Sequence, residues 1–240
     1  MINTKKTFPA PTCLEREKQK VKGDYKCGKV LEILKQDFYN KCYLCEDQPT
    51  SINVEHFEPH QGNKNKKFDW QNLFFVCAHC NNIKLDRYNT NDNNRLLNCT
   101  NHEHDVENWL KCEMVHFPQK AVKITALRNE KIVHNTAQLL NEVYNGTTPQ
   151  KKMEADNLKD KLQTEIIQFQ EMLIGYIKAN TDTEKSLYLN QIQKSLEIAS
   201  VFSAFKRQIW AILDSERRVS DSETHLFFLN QRGSPFMNSG

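Results

Sequence analysis

Residues 42–45 read Cys42-Tyr43-Leu44-Cys45, and residues 77–84 read Cys77-Ala78-His79-Cys80-Asn81-Asn82-Ile83-Lys84. Between them lie Val54-Glu55-His56-Phe57-Glu58-Pro59 and Trp70-Gln71-Asn72-Leu73. Each Cys-x-x-Cys loop can aim two thiolates at one ion, and two such loops complete a tetrahedron while residues 46–76 fold as an insert. Four sulfur ligands select zinc, and a site whose every position is filled by protein is structural. Zinc on Cys42, Cys45, Cys77 and Cys80 therefore staples a fold. Chemistry falls to the residues between and just after the two loops.

Within the insert, Ile52 and Val54 suit a short strand and Leu73 to Val76 its antiparallel mate. Gly62-Asn63-Lys64-Asn65-Lys66-Lys67 is polar and turn-rich, an exposed loop that could lie on a phosphate backbone. Residues from Ala78 to about Tyr88 read as a helix, and Asn89 to Asn94 as a loop. The unit is thus strand, strand, helix. Upstream, Val30, Leu31, Ile33, Leu34 and Phe38 fall at helical spacing, so a helix from about Lys29 to Asn40 should deliver the chain into Cys42. Cys13 and Cys27 have no Cys-x-x-Cys partner and read as free thiols. Downstream, Cys99, His102, His104 and Cys112 lie close in sequence, but their spacing fits no common zinc loop, and a second metal site there is left open. Met114–Phe117 and Ala121–Leu127, split by Pro118, read as a β-hairpin.

From Glu130 the pattern turns helical, which sets the expected organisation as residues 1–128 and a helical region of residues 129–240, a partner interface. Thr148-Pro149 is a helix start. Leu158, Leu162, Ile166, Phe169, Leu173 and Ile177 then form one apolar stripe. Thr181 and Glu184 have capping-box spacing for the next helix. Its stripe runs Leu189, Ile192, Leu196, Ala199, Phe202, Phe205, Ile209 and Leu213, and the two helices should pair antiparallel. Phe202, Phe205, Trp210, Phe227 and Phe228 supply more aromatic surface than such a pair needs. The expected fold class is α+β, mainly α.

The chain has 240 residues and 38% hydrophobic content, enough for an ordinary core. No apolar run approaches the ~20 residues a membrane span needs. Eight cysteines without an N-terminal apolar stretch point to a reducing compartment, the cytoplasm. A net charge of +3 argues nothing for the whole chain. Residues 1–41, however, hold ten Lys or Arg against five Asp or Glu, and Lys64, Lys66 and Lys67 add a second basic run, so positive charge flanks the central unit.

Glu55-His56, Asn72 and Asn81, set between and after the cysteine pairs, resemble the HNH or ββα-metal endonuclease motif. Over the longer span His56-Phe57-Glu58-Pro59, Phe68-Asp69-Trp70-Gln71-Asn72-Leu73 and Cys80-Asn81-Asn82-Ile83-Lys84, the chain resembles the HNH component of Septu anti-phage systems, also found in some retrons. The resemblance implies a DNA-cleaving effector in a defence complex with a companion ABC-type ATPase. Glu55 stands where the family usually has Asp, and Asn81 where many members have His.

Phosphodiester hydrolysis needs an activated water, charge stabilisation at the phosphoryl oxygens and help for the leaving oxygen. His56 is the expected general base. Glu55 and Asn81 are oxygen donors suited to a catalytic magnesium or manganese ion. Asn72 is expected to hydrogen-bond across the loop and hold His56 in line. Lys84, one turn past Asn81, is expected to touch substrate phosphate with Lys64, Lys66 and Lys67. Adjacent strand residues face opposite ways, so Glu55 and His56 need a bend near Phe57 and Pro59 to serve one metal. His60 and His79 read as solvent-facing or structural. A zinc-ribbon nucleic-acid-binding module without cleavage, and a nuclease acting on RNA such as tRNA, are the alternatives.

Overall fold

A computed structural model describes residues 1–85, 87–115 and 120–217. Two short helices, α1 (Cys13–Gln19) and α2 (Gly28–Asp37), precede the central unit. The α2 helix stops three residues before the expected Asn40, because Tyr39 and Asn40 adopt left-handed backbone (φ +54° and +56°) and turn the chain into Cys42. Strand β1 (Ile52–His56) is followed by the single turn α3 (Lys64–Lys67), then β2 (Leu73–Cys77) and α4 (Ala78–Lys84). The stretch expected to be loop at residues 62–67 is therefore partly helical, capped by the Asn63 side chain, which accepts from the amides of Asn65 and Lys66. The α4 helix ends four residues early, at Leu85, whose φ of +46° no helix can continue.

A second antiparallel pair, β3 (Leu110–Val115) with β4 (Ala121–Ala126), follows the short helix α5 (Val106–Trp109). The long helices are α6 (Lys131–Asn145), α7 (Pro149–Lys178), α8 (Asp182–Leu196) and α9 (Ser203–Arg217). Among the described residues no helix is long and apolar enough to cross a membrane.

The expected boundary at 128/129 falls just before α6, which starts at Lys131, and the core is continuous across it. One apolar cluster runs from Val30 and Leu34 through Phe74 and Cys80 to Leu140, Leu162 and Phe205. Asn141 and Asn145 on α6 reach the backbone of β4 at Ile124 and Val122, and the Tyr144 hydroxyl donates to the Cys45 carbonyl at 2.8 Å. The helices are thus bolted to the cysteine-bearing unit itself. Gly146 closes α6 with φ +70°, where a Cβ would sit 2.4 Å from the Lys152 amide nitrogen of the next helix.

Thr148 caps α7, and Thr181 with Glu184 forms the expected capping box on α8. The α7 stripe is buried from Leu158 to Leu173, but Ile177 is exposed. The stripe from Leu189 to Leu213 is not one helix. It breaks between Glu197 and Phe202, where Phe202 takes a φ of +50°. Trp210 from α9 then folds back against Phe169, Leu173, Ile192 and Leu196. Phe227 and Phe228 lie outside the described residues.

Cys13 and Cys27 are joined in a disulfide, correcting their reading as free thiols. The start of α1 and the residue before α2 are brought within 6.6 Å Cα to Cα. Sequence spacing alone could not show that approach, and it removes two of the thiols from which a reducing compartment was argued.

Candidate functional site

The four sulfurs of Cys42, Cys45, Cys77 and Cys80 are buried and lie within 4.8 Å of one another. Zn–S bonds of ~2.3 Å in a tetrahedron put sulfurs ~3.8 Å apart, and Cys45 and Cys77 are 3.9 Å apart. Hydrogen bonds from Cys42, Cys45 and Cys80 hold the Cys77 thiol well below its ordinary pKa. Hydrogen bonds to Cys42 and Cys77 push Cys45 well above it, and burial does the same to Cys80. Without a cation the cluster cannot ionise fully; a divalent ion removes that conflict. The donor set, burial and spacing fit zinc. Among the described residues Cys99, His102, His104 and Cys112 form no such group: His104 Nδ1 accepts from the Asn98 amide, and Cys99 and Cys112 are buried thiols with pKa values pushed by burial to about 12 and about 11.

The cysteine unit fixes β1 against β2 in register Glu55 to Phe74 and His56 to Leu73. Lys84 and Asn89 both donate to the Phe57 carbonyl, at 3.1 and 2.8 Å, and shape the bend after the strand. Asn72 spans the loop. Its Oδ1 accepts from the Glu58 amide at 2.7 Å and its Nδ2 donates to the Glu58 and Lys66 carbonyls at 2.9 and 3.1 Å.

Regular pairing keeps Glu55 and His56 on opposite faces, yet both wall a cavity of about 400 Å³ with Asn81, His60, Tyr25 and Lys26. His56 is half-buried. Its Nε2 lies 2.9 Å from the Lys67 carbonyl, so in the neutral ring Nε2 carries the proton and donates, and Nδ1 keeps the lone pair. Burial lowers its pKa below the usual imidazole value; the hydrogen bond to the Lys67 carbonyl opposes this, and the electrostatic influence of His60, Lys67 and Lys84 adds to the lowering. The neutral ring at pH 7 is a competent proton acceptor.

Glu55 is buried, and its Oε1 accepts from the Tyr43 hydroxyl and faces Lys84 Nζ at 3.5 Å. Burial raises its pKa, with Lys84 and Tyr43 pulling the other way. Both partners meet Oε1, which leaves Oε2 uncommitted among the described residues. Glu55 and Asn81 both line the cavity, and a carboxylate and an amide are oxygen-donor types that a hard cation takes.

Lys84 is not placed to touch substrate. It is 1% exposed, and donates to the carbonyls of His56 and Phe57 besides pairing with Glu55. A lysine so enclosed neutralises the strand end from inside. Lys64 and Lys67 donate to the carbonyls of Lys20 and Gly23, and Lys66 pairs with Glu58 at 3.2 Å. The basic turn is thus tied to the preceding segment; Lys64 and Lys66 stay exposed and Lys67 is half-buried.

Two residues of this site escaped sequence reading. Tyr25 meets the His56 ring edge-on at 4.5 Å between centroids, and His60 meets it at 4.6 Å. His60 is four residues past His56 in a turn, a signal that was present in the sequence. Tyr25 comes from a distant segment and had none. His79 is structural: it bonds Glu154 at 2.7 Å and the Val143 carbonyl at 2.8 Å, joining the second cysteine loop to α6 and α7.

No protein-family model matches the chain, and no curated protein matches it in sequence.

Proposed function

We propose that this chain is a metal-dependent HNH endonuclease that hydrolyses phosphodiester bonds in DNA. The observation that carries the reading is His56, its Nε2 engaged by the Lys67 carbonyl and its Nδ1 left as the basic nitrogen, lining one cavity with Glu55 and Asn81. The four cysteines hold a structural zinc that fixes the two strands and α4. Magnesium or manganese bound by Glu55 and Asn81 would supply Lewis-acid help at the phosphate and neutralise the leaving oxygen. His56 takes a proton from water through Nδ1, and the Lys67 carbonyl keeps the ring oriented while it does so. Asn72 holds the loop whose Lys67 carbonyl meets His56. Anti-phage defence with a companion ABC-type ATPase belongs to the same proposal and rests on the resemblance of the motifs.

One observation favours a zinc-stapled binding module instead: the Glu55 carboxylate is already met by Tyr43 and Lys84. Digestion of supercoiled plasmid and of structured RNA with magnesium or manganese, with and without the ATPase, separates these readings. A binding module shifts both nucleic acids in gels and cuts neither.

The pH dependence follows from the state of His56. A base must be neutral to act, and burial depresses the pKa of His56 below its usual ~6.5. The single-turnover rate should therefore rise with pH through a midpoint below ~6.5 and be level by about pH 7. An acid limb centred above that value would rule His56 out as the titrating base.

A further inference from the structure

The chain turns left-handed at Gln61 (φ +45°) and Gly62 (φ +80°) just past β1, and this folds the Gly62 amide back onto His60 Nδ1 at 3.2 Å. In the neutral ring an accepting Nδ1 means that Nε2 carries the proton. His56, whose Nε2 is engaged by Lys67, has the opposite arrangement. Two imidazoles with centroids 4.6 Å apart on one cavity wall therefore offer opposite free nitrogens, an acceptor on His56 and a donor on His60. Among the described residues no protein group takes His60 Nε2. His79 has both ring nitrogens taken by protein groups; His60 has one taken, and lines the cavity beside His56 with the other uncommitted among the described residues.

We propose that His60 is a second catalytic residue of this site, presenting its Nε2–H as a hydrogen-bond donor to a non-bridging phosphate oxygen. The assignment rests on the phosphodiesterase reading above. The water proton goes to His56 Nδ1, the water oxygen forms the new P–O bond, and the leaving oxygen departs with its electron pair and takes a proton from solvent. His60 neither gains nor loses a proton. Its N–H meets charge that grows on the phosphoryl oxygens as the new bond forms, so the contact is worth more in the transition state than in the bound substrate.

The test uses the zinc-loaded full chain on supercoiled plasmid with magnesium, comparing wild type, His60→Ala and His60→Gln under single turnover from about pH 5 to about pH 9. His60→Ala should slow cleavage ~100-fold on the pH plateau, with KM changed by less than about threefold. His60→Gln restores an N–H donor and should recover to within about tenfold of wild type. Alanine cleaving within about twofold of wild type overturns the proposal. So does a loss confined to the acid side of the profile with the plateau rate unchanged, which would mean that His60 acts only through the titration of His56. Should the alanine variant fail to fold, a folded glutamine variant ~100-fold down is equally fatal. A wild-type chain that cuts neither plasmid nor RNA removes the nuclease reading together with this one; a cutting wild type with an unaffected alanine variant removes His60 alone.

Discussion

Cys42→Ser is expected to cost the chain its zinc and most of its cooperative structure. Structural zinc contributes ~10–16 kcal/mol in small zinc-bound units, while whole domains are stable by only ~5–15 kcal/mol. The sulfur sits where that loss spreads. Cys42 is fully buried in the main apolar cluster, its amide donates to the Asp47 carbonyl, and the neighbouring Cys45 carbonyl holds Tyr144 of α6. Losing the ion frees two loops that clamp β2 and α4, and the α6 contacts go with them. Elemental analysis of wild type should give one zinc per chain. The variant, and wild type stripped by a strong chelator, should lose zinc and near-ultraviolet dichroism together. A zinc-free chain that keeps the wild-type melting transition would contradict the staple.

Glu55→Ala should lose stability and cleavage at once, whereas Asn81→Ala should lose cleavage alone. Removing the Glu55 carboxylate leaves Lys84, 1% exposed, as an unpaired buried charge, and takes the acceptor from the buried Tyr43 hydroxyl. Breaking a buried pair costs ~3–5 kcal/mol. The His56 and Phe57 carbonyls still hold Lys84, so the lower end of that range applies. For a chain of this length that is a fall on the order of 10 °C in Tm. Asn81 is half-exposed on α4 and carries no such debt, so its alanine variant should melt within about 2 °C of wild type. On the proposed nuclease reading both variants should cleave at least ~100-fold more slowly, since each would remove an oxygen donor for the cation. Thermal melts and single-turnover plasmid cleavage read the two effects separately. A Glu55→Ala chain that cleaves normally would make the carboxylate purely a partner for Lys84.

The parts of this molecule legible in its sequence are those set by local rules. Spacing gathered the four cysteines, β-forming residues around Ile52 and Val54 and from Leu73 to Val76 marked the paired strands, and Thr148-Pro149 and Thr181 with Glu184 announced their helices. What stayed hidden depends on tertiary approach. A lysine one turn past Asn81 looks the same in sequence whether it meets phosphate or, as Lys84 does, the carbonyls of the bend after β1. Tyr25 reaches His56 across thirty-one positions of chain, and Cys13 reaches Cys27 only because α1 and α2 pack. The helix break at Phe202 was masked because the apolar period carries on through it, so the pattern signalled burial correctly and continuity wrongly.

The most direct test of the central claim, that a sulfur-stapled unit holds His56 as the base for phosphodiester hydrolysis, is magnesium-dependent plasmid cleavage by His56→Ala beside wild type, with zinc measured on both. The account predicts one zinc in each and a ~1000-fold slower variant, within the range of a positioned general base. Equal cleavage by the two proteins, or a zinc-loaded wild type that binds DNA and never cuts it, would contradict it.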